Sequence, residues 1–411
     1  MMPPIDPLNN LERNMNPLIA PEHPLTHGLE PYFEAIKSYT SLDELQASDL
    51  YQKHGAEIEA VTNGVAWRNT IPAPETPKHI RVVAWNIERG LKIDGIIHLL
   101  KTNPILNKAD ILLITEADIG MGRTDNRNIP QELADAVGMN YVFANCFLAL
   151  EKGDIGEQSH DLSNTLSLHG LCILSKFPIQ AYQSVSLPMF KDVFNDLEKR
   201  LGSRKGLICT IPIGHRTLDF AVTHIELATS ATQRSLQVET LLQALSQSTA
   251  DGSLIGGDFN TMTYDLRSKK HLFLSLLYKA FFGLHRVIRH YMTPDKHFEK
   301  HLFNALLQHG FDYNTFNNHT MGTIYYDINN PIVETKLRQY RIPAFVLKIL
   351  RWELSRYNGR VPLRLDWFAG KNLNVVSQPT NGYELPQVID TPLFDEQPVS
   401  DHSPIVVDLE I

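Results

Sequence analysis

The sequence predicts an α/β protein, on the strength of three observations. Short apolar runs bounded by Gly, Pro or polar turns recur from Ile80 to the C-terminus; amphipathic stretches lie between them; and the runs repeatedly end in Asp, Glu, Asn or His. The runs span residues 80–85, 111–114, 171–174, 207–211, 218–222, 254–255 and 405–409, and each reads as a sheet strand. Residues 233–245 place Leu236, Val238, Leu241, Leu242 and Leu245 at helical spacing, and residues 131–137 form a shorter helix. No internal repeat or low-complexity tract interrupts this order.

Residues 1–78 read as an N-terminal extension. Helical stretches are expected around residues 31–36 and 41–54, followed by a Pro-rich linker at 71–77 that disfavours helix and central strand alike. A catalytic domain is then expected over 79–411. Its length, in a chain that is 43% hydrophobic, allows a sizeable core. The first residues carry no basic, apolar leader, and no run approaches the roughly 20 apolar residues of a membrane span, so the expected location is cytoplasmic. Cys146, Cys172 and Cys209 are too few and too scattered for a disulfide framework or zinc cluster. The net charge of −8 hides an asymmetry: eight Lys and Arg stand against two Asp and Glu over 267–300, and eight against one over 336–364. A local basic surface of this kind addresses an anionic partner.

Polar side chains follow the strands in a fixed order. Asn86 and Glu88 follow residues 80–85, Glu116 and Asp118 follow 111–114, and His224 and Glu226 follow 218–222; Asp258 and Asn260 follow 254–255, Asp366 follows Leu363-Arg364-Leu365, and Ser400-Asp401-His402 precedes the last strand. A single Asp or His at a strand end is usually a turn former or cap. Several together, on rigid mounts, can converge on one point. Asn86, Glu116, Asp258, Asn260 and Asp401 supply oxygen donors suited to Mg2+ or Mn2+, with no Cys/His arrangement suited to structural zinc. Such an ion neutralises the charge that builds up as a phosphoester is attacked.

This ordered set resembles the endonuclease/exonuclease/phosphatase superfamily, which includes deoxyribonuclease I, abasic-site endonucleases, inositol polyphosphate 5-phosphatases, neutral sphingomyelinases and deadenylases. Gly257-Asp258-Phe259-Asn260 and the terminal Ser400-Asp401-His402 carry the resemblance most specifically, and His169-Gly170 through Pro178-Ile179 adds a structural match. The resemblance implies a four-layer α/β/β/α sandwich of two mixed β-sheets with flanking helices. It implies that Asn86, Glu116 and Asp401 hold the metal, Asp258 orients or deprotonates water, Asn260 positions nucleophile and phosphate, and His402 paired with Asp366 contacts the scissile phosphate. His224 matches a position that binds phosphate or assists the leaving group, and Arg204 or Lys205 matches a phosphate-binding position. The implied function is divalent-metal-dependent hydrolysis of a phosphoester, by a phosphodiesterase or nuclease. A sphingomyelinase-like or inositol-phosphate-type phosphoesterase at a membrane surface, and an inactive binding module, are the alternatives.

Two basic helical inserts are expected at about 264–300 and 336–364. In the first, Phe273, Leu276, Leu277, Ala280, Phe281, Leu284, Val287, Ile288 and Tyr291 recur at helical spacing; in the second, a helix is expected over 344–357. Core packing, contact with an anionic membrane surface, and contact with nucleic acid are the three readings of these inserts.

Overall fold

The computed structural model describes residues 15–153, 161–196, 198–262, 284–327, 359–380 and 382–411, with residues 270, 274, 348, 351, 352, 354 and 355 between them. Along the chain the elements are β1 (Asn16–Pro17), β2 (Glu22–His23), α1 (Phe33–Ser38), α2 (Leu42–Gln46), α3 (Asp49–Thr62), β3 (Val65–Arg68), β4 (His79–Arg89), α4 (Ile93–Thr102), β5 (Ile111–Ile119), α5 (Ile129–Val137), β6 (Asn140–Ala149), β7 (Leu168–Ser175), β8 (Ala181–Ser186), β9 (Arg200–Gly202), β10 (Lys205–Ile213) and β11 (Arg216–His224). They continue with α6 (Ala231–Ser246), β12 (Gly252–Asp258), α7 (Leu284–Met292), α8 (Pro294–His297), α9 (Lys300–Gln308), β13 (Ile324–Asp327), β14 (Arg360–Leu363), β15 (Asp366–Lys371), β16 (Gln387–Val388), β17 (Leu393–Phe394), β18 (Gln397–Pro398) and β19 (Ile405–Glu410).

Two mixed sheets dominate. One runs β1-β8-β10-β11-β12-β15; the other runs β16-β19-β4-β5-β7-β6-β3-β2, with β9 on β6. Period-two alternation assigns each strand's side chains to opposite faces. On β4, Ile80, Val82 and Ala84 join Leu218, Phe220 and Val222 of β11 in a core between the sheets, while Val83, Trp85 and Ile87 face outward. The outer face of the β4 sheet is covered by residues of α1, α3, α4 and α5, and the outer face of the β11 sheet by α6 and α9. Three cores between four layers are the sandwich that the family resemblance implies.

Several elements differ from expectation. Residues 16–68, read as part of an extension, add strands to both sheets, and Leu29, Phe33, Ile36, Ile58 and Val61 lie in the same outer core as Trp85. Residues 41–54 are not one helix: Ser41 caps α2 through Glu44 N–H, and Ser48 interrupts to cap α3 through Tyr51 N–H. Asp366 begins β15 rather than ending a strand, because β15 runs antiparallel to β12 and brings its N-terminal end to the edge where β12 finishes. All three cysteines are buried and free.

Of the basic inserts, the expected helix over 344–357 lies for the most part outside the described residues. Within the first insert, α7 buries Val287, Ile288 and Tyr291 against Met262, Leu354, Val361, Leu363 and Leu365, and turns Arg286 and Arg289 outward. Its apolar face is therefore covered by the protein. Among the described residues, no helix is long and apolar enough to cross a membrane.

Candidate active site

Strand register gathers the first half of the site. His224 pairs with Asp258 across the parallel β11/β12 ladder, and Asp258 pairs with Asp366 across β12/β15. Three functional side chains thus stand in a row on adjacent strands, about 4.8 Å apart. Gly257 makes this possible: at φ +137°, a Cβ there would lie 2.2 Å from the Thr223 carbonyl oxygen, so only glycine lets β12 approach β11 so closely. The second half comes from the other sheet, where β4 and β5 shift register just past Asn86 and Ile114. Such bulges re-aim side chains. Glu88 (φ +48°), Glu116 (+55°) and Asn260 (+45°) all adopt left-handed backbone, which non-glycine residues keep only where the surroundings enforce it. The C-terminal motif is pinned to β4: Ser400 Oγ donates to Asn86 O at 2.7 Å, and Trp85 Nε1 donates to His402 O at 2.9 Å.

Asp258 is the hub. It is 2% exposed, and its Oδ1 accepts Asn260 N–H at 2.9 Å. Its Oδ2 accepts Asn86 Nδ2 at 3.2 Å and lies 3.3 Å from His224 Nε2 and 3.8 Å from His402 Nε2. Burial, with Asp366 and Glu116 nearby, raises its carboxyl to about 7 against the pull of His402. His402 donates from Nδ1 to Asp366 Oδ2 at 2.8 Å. Burial would lower this imidazole, but Asp366, Asp258 and Asp401 outweigh it and hold it well above its usual range, protonated at neutral pH. Asp258, Asp366 and His402 bring ligand-type atoms within 4.8 Å of one another. The group could hold a metal ion, and without one the two carboxylates serve as the counter-charge of the imidazole.

The metal side is acidic. Asn86 Nδ2 also donates to Glu116 Oε1 at 3.2 Å, and Asn86 Oδ1 accepts Glu88 N–H at 3.0 Å. As placed, Asn86 spaces the carboxylates, and the second lone pair of its Oδ1 is left for a cation. Burial pushes Glu116 up, yet Arg89, His224 and His169 oppose it and the net shift is well below the usual carboxylate range. His224 is itself held well below its usual value, by burial and then by Arg204, so at neutral pH the pull on Glu116 comes from Arg89. Glu88 is raised to about 7 by burial and by Asp401 and Glu116. Asp401 is exposed as a residue, but desolvation of its carboxyl, with Glu116 alongside, raises it against His402 and Arg89. Glu88, Glu116 and Asp401 raise or oppose one another electrostatically, while the described residues whose ligand-type atoms lie within 4.8 Å of one another are Asp258, Asp366 and His402; a hard divalent cation beside these acidic groups would relieve their mutual repulsion.

The flanking cations separate. Arg204 lies where Glu116 and Asp258 act on it and its guanidinium sits over Phe147, 5.6 Å from the ring centroid. Lys205, next along the chain, turns the other way and donates to Asn63 Oδ1 at 2.8 Å and Ser186 Oγ at 2.9 Å. The structure brings Arg204 to the cluster and not Lys205. Asn260 Nδ2 is bound to Ile225 O at 2.8 Å, which leaves Oδ1 as its functional atom. Glu88 enters the site although its loop position made it indistinguishable from a solvated residue. So does a buried network behind Glu116: Arg123 binds both oxygens of Asp118 and reaches Glu198, while His169 Nδ1 lies 2.8 Å from Asp118 Oδ1. His169 stands out in the sequence only as the start of a structural match, and Arg123, five residues from Asp118, only as a loop charge; their association with each other and with Glu198 is tertiary.

A core between two mixed sheets, with carboxylates and histidines at one sheet edge, defines a phosphoesterase-type α/β sandwich. The model of the Endonuclease/Exonuclease/phosphatase family matches residues 83–402, and the chain belongs to that family, whose members are phosphoester hydrolases. No curated protein matches the chain. Among solved structures, an endonuclease/exonuclease/phosphatase from Beutenbergia cavernae is 15% identical with a TM-score of 0.46, covering 82% of this chain and 72% of that one. D. rerio TDP2 complexed with single strand DNA product is 13% identical, TM-score 0.45, covering 82% and 100%. The human Nocturnin catalytic domain is 15% identical, TM-score 0.43, covering 81% and 93%.

Proposed function

We propose that this chain is a divalent-metal-dependent phosphodiesterase acting on nucleic acid. The observation that carries the reading is Asp258 Oδ2, a buried carboxylate oxygen 3.8 Å from His402 Nε2 and within the field of Glu116. Glu116, Asp401 and Glu88, with Asn86, would hold Mg2+ or Mn2+, which neutralises charge on the phosphoryl oxygens when bound. Asp258 takes the proton of the attacking water, which Asn260 Oδ1 orients. His402, fixed by Asp366, and Arg204 stabilise the charge developing on the phosphate. Nucleic acid is favoured because α7 has its apolar face covered and leaves Arg286 and Arg289 outward, whereas surface insertion needs the apolar face.

A lipid phosphodiester is the second reading, supported by Trp352, which is 63% exposed beside an exposed Arg351. Purified protein with Mg2+ or Mn2+ is assayed on single-stranded DNA, double-stranded DNA, RNA and sphingomyelin vesicles. Cleavage of a polynucleotide that weakens with added salt is expected. Turnover of vesicles alone overturns the nucleic-acid reading, and turnover of none of them overturns both the nucleic-acid and the lipid-phosphodiester readings.

A further inference from the structure

The strand that carries Asp366 begins at a break. β14 ends at Leu363 and β15 begins at Asp366, and the two lie in different sheets, β14 pairing with β13 and β15 with β12. At this change of partner the N–H groups of Leu365 and Asp366 turn to a side chain instead of a strand: both donate to Thr323 Oγ1, at 2.9 and 3.1 Å. Thr323 is fully buried. Its own N–H donates to Leu363 O at 2.8 Å, on the far side of the break, and its carbonyl accepts Ser403 N–H at 2.7 Å. The next residue, Ile324, bridges to His402. One threonine thus holds the backbone on both sides of the His402–Asp366 pair. The side chains cannot do this themselves: Asp366 Oδ2 meets His402 Nδ1 at 2.8 Å, but Asp366 Oδ1 has no hydrogen-bond partner, so the aim of the carboxylate is set by the chain that carries it. An apolar isostere at 323 would leave two buried N–H groups unsatisfied, at a full desolvation penalty that movement of residues 365–366 would relieve.

We infer that Thr323 is a positioning residue for the reaction, aiming His402 through the backbone of Asp366 and Ser403. The inference rests on the phosphodiesterase reading above and adds to it a residue that acts at one remove from the substrate. Its test is a double-mutant cycle. Hydrolysis of bis(p-nitrophenyl) phosphate with Mn2+ is followed in the native protein, Thr323→Val, Thr323→Ser, His402→Ala and the combination of Thr323→Val with His402→Ala, each beside a thermal melt. Valine keeps the shape and loses the acceptor, whereas serine keeps the acceptor. Thr323→Val is expected to lower kcat about 10–100-fold with KM little changed, and Thr323→Ser to recover most of that loss. In the His402→Ala background the valine is expected to change kcat by less than about twofold, because no imidazole is left to aim. A merely structural role would lower the melting temperature in both backgrounds without this difference in kcat. Native-like kcat in Thr323→Val, or an equal loss in the His402→Ala background, overturns the inference and leaves the hydrolase intact. If the valine variant does not fold, amide hydrogen exchange of the native protein decides: the Leu365 and Asp366 N–H groups are expected among the slowly exchanging amides, and exchange at the rate of an open loop overturns the inference. Absence of turnover in the native protein overturns the hydrolase and this role with it.

Discussion

Two histidine–aspartate pairs lie in this molecule with the same 2.8 Å contact and opposite charge states. His402 with Asp366 and His169 with Asp118 are both buried, and each pairs Nδ1 with a carboxylate oxygen. In the second pair Arg123 binds Asp118 through two nitrogens and supplies the countercharge, so burial wins and His169 is lowered. In the first, Asp366 keeps Oδ1 without a partner, and Asp258 and Asp401 add further negative charge, so His402 is raised. The geometry of a dyad therefore does not set its role. What neutralises the carboxylate does: a resident arginine accompanies the lowered imidazole of one pair, while the other, without one, keeps a raised imidazole, the group that the proposed mechanism sets against the phosphate.

Breaking the first pair should have the largest effect. His402→Ala is expected to lower turnover of a phosphodiester about 1000-fold with little loss of thermal stability, checked by steady-state kinetics and a melt. Breaking the second should do the reverse: Arg123→Leu takes the guanidinium from two buried carboxylates, leaving Asp118 with His169 and Glu198 with Arg200, and is expected to cost about 3 kcal/mol in denaturant unfolding. The charge states can be read by imidazole NMR on metal-free protein at pH 7, with His402 protonated and His169 neutral. The pH dependence follows with a definite sign. His402 is raised above an unfolded value of about 6.5, so its pairing stabilises the fold fully below that pH and is lost as pH rises through the folded value. Asp118 is lowered, so its contribution is present above about pH 3.9 and is lost as pH falls through the folded value. The smallest contrast is between neighbours: Arg204→Met should reduce kcat/KM about 10–100-fold, and Lys205→Met should act on stability alone, since its ammonium serves Asn63 and Ser186.

Much of this was legible in residue order. The apolar runs ending in Asn86, Glu116, His224 and Asp258 correspond to β4, β5, β11 and β12, and the structure brings those residues together. Charged residues whose partners lie far along the chain were not legible: Arg123 meets Glu198, and Glu88 takes its character from Asp401. Edge strands also escaped notice, because β1 and β2 are two-residue pairings with no period to read. The choice between Arg204 and Lys205 needed the sheet, since alternation sends adjacent side chains to opposite faces.

The central claim is metal-dependent hydrolysis through Asp258, and one measurement meets it directly: hydrolysis of bis(p-nitrophenyl) phosphate by native protein and by Asp258→Asn, each with Mn2+ and with excess chelator. Turnover in native protein with Mn2+, abolished by chelator and reduced at least about 1000-fold in Asp258→Asn, is the result that the proposed mechanism predicts. Equal turnover in chelator, or in the variant, would contradict it.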